Sequence, residues 1–134
     1  VGVAAAKALG LAWHIKVHGY GCLSLVAAMA RLQSASHAAV DVIMTGGHGE
    51  YFFEAFNDAG HSIAPARSVL PELLPTVAVA DHVAGDIAPE RADRVWTDIL
   101  PEARAWAYLP DDHALPPVPV YGRAPDAKPA AVRA

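Results

Sequence analysis

Cysteine is nearly absent. Cys22 is the only one in the sequence, so no intrachain disulfide can form and a cysteine-rich zinc site is excluded. A lone thiol fits a reducing cytoplasm. Basic residues are also scarce. Ten Lys and Arg face fourteen Asp and Glu, for a net charge of −4. Nucleic-acid backbones are gripped through clustered Lys and Arg, and no such cluster occurs, so the chain alone is not expected to hold nucleic acid. No long hydrophobic run exists either. The uncharged stretch from Val17 to Ala30 carries His18, Gly19, Gly21 and Ser24, and is too short and too polar to cross a bilayer. The start has neither the charged n-region nor the apolar h-region of a signal peptide. It also lacks an initiator Met and a capping residue before the first helical pattern, which leads us to expect a cut through a longer protein.

What is present is the composition of one globular domain: 134 residues, 54% hydrophobic and 18% charged. Residues 1–13 read as a helix rich in Ala, Leu and Lys. Gly2, Ala6 and Gly10 recur every four residues and make a smooth stripe beside the apolar line of Val1, Ala5, Leu9 and Trp13. Residues 15–20 read as a short strand. Ser24 is placed as the cap of a helix reaching Gln33, with Leu25, Ala28, Met29 and Leu32 on one face. Val40–Thr45 and Glu50–Asn57 alternate β-formers around Gly46-Gly47-His48-Gly49, a hairpin signature. Residues 61–67 add a third strand, 69–75 a short helix, and Val77–Ala84 a buried strand. A helix is expected over 88–96 and a short strand over 104–108. Beyond Leu109 six prolines enforce extended or turning chain. Helix, strand, meander and further α/β units define an α/β fold with a mixed sheet.

Few constellations carry chemistry. The Gly-rich stretch at 46–49 lacks the Gly-Lys-Ser/Thr ending of a phosphate loop and opens a strand, so it reads as a turn. Seven histidines are scattered, and His14 and His18 are not followed by a metalloprotease pattern, so no metal site is expected. Cys22 reads as a small packed side chain and Ser24 as a cap, since no nucleophile elbow surrounds either. Glu50, Glu54 and Asp86 have no partner by spacing. No catalytic, metal-binding or cofactor-binding set emerges.

Several segments, read in order, resemble the TsaB family of bacterial tRNA-modification proteins. VGVAAAKALGLAW is similar to the family helix that follows its GPGSFTGxR loop. VHGYGCLSLVAAMA resembles a strand-to-helix segment. MTGGHGEYFFEAF resembles the family hairpin, with Gly49, Glu50 and Tyr51 in place. VAGDIA is similar to its "VGDGA" segment. The tail PVPVYGRAPDAKP resembles the terminal "PxYLRAPDAK", with Tyr121, Arg123, Pro125 and Asp126 in place and Gly122 where Leu is usual. The resemblance implies an actin-like ATPase, ribonuclease-H-like fold. Residues 1–14 would be the last helix of an N-terminal subdomain, 15–108 the C-terminal α/β subdomain, and 109–134 a Pro-rich tail. It further implies a cytoplasmic, non-catalytic scaffold that binds the catalytic subunit TsaD, with the ATPase TsaE, to threonylcarbamoylate adenosine in tRNA, without a cofactor and without gripping tRNA itself. Gly2, Val3, Ala6, Leu9 and Gly10 would form the partner surface, for TsaD or for a second copy of the chain. The competing reading is an independent actin-like ATPase or a glycoprotease-like peptidase.

Overall fold

The structure, a computed structural model, describes residues 1–122. Helix α1 spans Gly2–Trp13 and α2 spans Cys22–Ser34. Strands β1 (Val40–Thr45), β2 (Tyr51–Phe56) and β3 (Ser62–Val69) follow. After a 3-10 turn at Pro71–Leu73 come a one-turn helix α3 (Leu74–Val77), β4 (His82–Gly85) and β5 (Val95–Asp98). Further 3-10 turns cover Ala103–Tyr108 and Asp111–His113.

The five strands make one sheet in the order β3-β2-β1-β4-β5. β1 pairs antiparallel with β2, Val40 opposite Phe56 and Thr45 opposite Tyr51, and β2 pairs antiparallel with β3. On its other side β1 runs parallel to β4, and β4 parallel to β5. The hairpin expected from the alternation around residues 46–49 is therefore present. Its turn closes through Glu50 N–H donating to Gly47 O at 3.2 Å, and both residues between, His48 and Gly49, have positive φ, as the tight hairpin turns with the right twist require.

Alternation along the strands separates two packed faces. Val40, Val42 and Phe56 meet Leu23, Val26, Ala27 and Ala30 of α2. Ile43, Phe53, Val69 and Val83 meet Leu74 and Ala78 on the opposite side. The buried stripe of α2 thus follows i, i+3, i+4, i+7 from Leu23, not the expected line through Ala28 and Leu32. Leu32 is exposed.

Gly85 lies where β4 meets β1. Its φ is +122°, and an added Cβ would stand 2.0 Å from Ile43 O, so only glycine fits. The following Asp86 accepts the Thr45 N–H through Oδ1 at 2.7 Å. These two contacts explain the Gly-Asp of the VAGDIA segment in physical terms.

Several expectations are corrected. Residues 15–20 do not form a strand. They carry a single bridge, Gly19 to Leu115. Ser24 is not a cap, because α2 starts earlier with Gly21 at its N-cap and Ser24 is buried within the first turns. Cys22 is exposed and not packed. Residues 88–96 are not helical, since Val95, Trp96 and Thr97 pair with β4. The expected strand at 104–108 is a 3-10 turn that buries Ala105. The strand begins at His82 and not Val77, which ends α3.

Candidate functional site

α1 is built from strong helix formers and stops at His14. His14 takes a left-handed conformation, φ 54°, and its N–H reaches back to the carbonyls of the last turn. The following Ile15 N–H donates to Gly10 O at 3.0 Å, so two successive N–H groups close the helix end in the manner of a Schellman cap. Gly10 is the one buried residue of the helix. A Cβ there would lie 2.3 Å from Val17 Cγ2, so the smooth end of the stripe is occupied by the chain's own linker. Gly2, Ala6 and Leu9 are exposed and Val3 is half-buried. Leu11 at 78% and Trp13 at 63% exposure add large apolar surface. α1 thus carries apolar side chains around most of its surface with little of the described domain packed against it.

The family-motif residues lie apart from α1. Gly49 (φ +77°) and Glu50 form the hairpin tip, and Tyr51 opens β2, packed against the α3-side core. Tyr121 is exposed. Gly122 O accepts the Ser68 N–H at 3.0 Å, outside the edge strand β3. A Cβ on Gly122 would stand 2.9 Å from the Phe52 ring. Phe52 thus occupies the room that the family's usual Leu would need at this position. Arg123, Pro125 and Asp126 lie outside the described residues.

The residues weighed for chemistry do not converge. Asp86 is tied to Thr45 N. Glu54 is buried on the α2 face of β2. Burial pushes its carboxyl above the usual range, opposed by a hydrogen bond from Ser62 and the nearby His113. His82 is buried in β4 and shares a 2.8 Å hydrogen bond with Thr97 Oγ1, and burial pushes its pKa down. Asp41 is buried at the start of β1 and accepts the Ala80 N–H at 2.7 Å. Burial raises its pKa, against hydrogen bonds from Ala80 and Val79 and the field of Arg94. Among the described residues, no group of three or more His, Cys, Asp and Glu could hold a metal ion, and no helix is long and apolar enough to cross a membrane.

One cluster escaped sequence reasoning. His61 Nε2 meets Asp112 Oδ2 at 3.0 Å, and His113 Nδ1 lies 3.5 Å from Asp112 Oδ1. His61 follows the β2–β3 turn and Asp112 lies in the Pro-rich segment, so no local spacing signals the pair. A similar non-local clasp joins α2 to that turn. Arg31 donates to Asn57 O at 2.9 Å and to Asp58 O.

The class these features define is an α/β domain with a mixed five-stranded sheet that presents an apolar helix. No protein-family model matches the chain, and no curated protein sequence matches it. Solved structures do. A Pseudomonas aeruginosa protein described as similar to the peptidase YeaZ superposes with a TM-score of 0.67 at 20% identity, over 91% of this chain and 66% of that one. YeaZ from Pseudomonas aeruginosa gives a TM-score of 0.67 at 17% identity, over 89% and 65% of the two chains. The chain therefore spans just under two thirds of the length of these neighbours. The likeness shows the fold, which is actin-like and ribonuclease-H-like, as the sequence resemblance implied.

Proposed function

We propose that the chain is part of a TsaB-type scaffold subunit, working in the cytoplasm without catalytic groups of its own. It docks through α1 onto a TsaD-type catalytic subunit that, with a TsaE-type ATPase, threonylcarbamoylates tRNA. The observation that carries this reading is the exposure of α1: every residue but Gly10 is exposed or half-buried, and the helix bears Leu9, Leu11 and Trp13. Small residues at Gly2 and Ala6 let a second helix approach closely and gain dispersion contacts. The YeaZ-like fold and the tail motif support the same reading. The net charge of −4 supports a division of labour in which other subunits contact the tRNA phosphates.

The test is binding of the full-length protein to TsaD and TsaE from the same genome, by calorimetry or pull-down. Ala6→Arg places a long cation at the seam and is expected to weaken TsaD binding by about a hundredfold or more, the scale of a truncated hot spot. Unaltered affinity of the Ala6→Arg protein overturns α1 as the interface. ATP hydrolysis or peptide cleavage by the isolated full-length protein overturns the scaffold reading itself.

A further inference from the structure

We propose that residues 109–122 form a strap that sets the pose of α1, a role distinct from the docking reading and independent of it. α1 is joined to the domain through residues 14–21, and among the described residues this linker makes two contacts, one back to α1 and one to the strap. Gly10 locks against Val17. Further on, Gly19 and Leu115 exchange both backbone hydrogen bonds: Gly19 N–H donates to Leu115 O at 2.8 Å, and Leu115 N–H donates to Gly19 O at 2.9 Å. The approach is close enough that a Cβ on Gly19 would sit 3.0 Å from Pro116 O.

The strap is in turn pinned to the sheet on either side of that bridge. Before it, Asp112 takes His61, the residue that leads into β3, at 3.0 Å. After it, Gly122 O accepts the Ser68 N–H from the outer edge of β3. The bridge therefore transmits the position of the antiparallel half of the sheet to the linker, and from Val17 to the last turn of α1. Prolines at 110, 116, 117 and 119 stiffen the strap and reduce the entropy lost on docking it. Without the strap, α1 would hang from a linker that Val17 ties only to α1's own Gly10 and that is otherwise held where it enters α2 at Gly21.

Substitution of Leu115→Pro in this chain tests the strap, because it deletes the N–H that Gly19 O receives and leaves the sheet intact. Leu115→Ala, which keeps that N–H, is the control. Loss of the paired bonds should cut the protection of the Gly19 amide against hydrogen exchange by about tenfold. It should also broaden the distance distribution between spin labels at Lys7→Cys and Glu72→Cys in a Cys22→Ser background. Amides of β1 and β2 should exchange as in the parent. Parental Gly19 protection and an unaltered distance distribution in Leu115→Pro overturn the proposal. If Leu115→Pro also exposes the β1 and β2 amides, Asp112→Ala decides. It removes the His61 pin, along with Asp112's local contact to His113 within the strap, and should lower Gly19 protection in the same direction by about twofold, whereas unchanged protection overturns the strap.

Discussion

Strand β1 and the first helix are both largely apolar in sequence and opposite in environment. β1 spells VDVIMT and is buried along most of its length, down to Asp41. α1 spells GVAAAKALGLAW and buries Gly10 alone. Composition therefore does not decide what is core. The sheet's apolar residues alternate and find two covering layers, whereas those of α1 surround the helix and stay exposed or half-buried.

Breaking the sheet should cost most. Phe53 is fully buried, and Phe53→Ala is expected to destabilise by about 3–5 kcal/mol, read as a lowered urea midpoint. Gly85→Ala comes next. The strained φ and the clash with Ile43 O should cost about 2–4 kcal/mol and loosen the β1–β4 seam, visible as faster exchange of β4 amides.

Asp41 gives a smaller effect with a pH signature. Asp41→Ala orphans the Ala80 N–H and should cost about 1–3 kcal/mol at neutral pH. Asp41→Asn keeps one acceptor and should cost less. Burial raises the folded pKa of Asp41 above its unfolded value, so folding favours the protonated form. That contribution is present below about pH 4 and is lost as pH rises through the folded value. Asp41→Asn should remove this loss, so its stability relative to the parent improves from pH 4 to 7. His82 works in the other direction. Its folded pKa is depressed, so its contribution is present above about pH 6.5 and declines as pH falls. Thermal melts of parent and Asp41→Asn across pH 4–8 separate the two trends. Smallest of all, Leu11→Ala on the exposed helix should change stability by less than about 0.5 kcal/mol. A loss as large as that of Phe53→Ala would place α1 in the core and end the contrast.

The hairpin was legible because local chemistry and tertiary fate agree there: aromatic alternation flanks Gly46–Gly49, and the turn demands positive φ. Residues 88–96 misled because Glu90, Arg91 and Ala92 favour helix, while Val95, Trp96 and Thr97 fit the free edge of β4. Partner strands outweigh propensity in such a segment. The four-residue spacing from Gly2 marks one side of α1, but the burial of Gly10 by Val17 is not legible there, because the helix ends at a left-handed His14 that no pattern marks. The Gly19–Leu115 bridge and the His61–Asp112 pair join distant residues, and a single sequence carries no signal for such contacts.

The mixed order of the sheet also has a kinetic reading. β1 to β3 close through short turns, whereas the β1–β4 seam must bring Val40 beside His82 and pay for a long loop before any contact rewards it. The antiparallel meander should therefore assemble first during refolding, with β4 and β5 adding afterwards. Quenched-flow exchange would then show β2 amides protected before those of β5, and Gly85, at the late seam, would govern the rate of the final step.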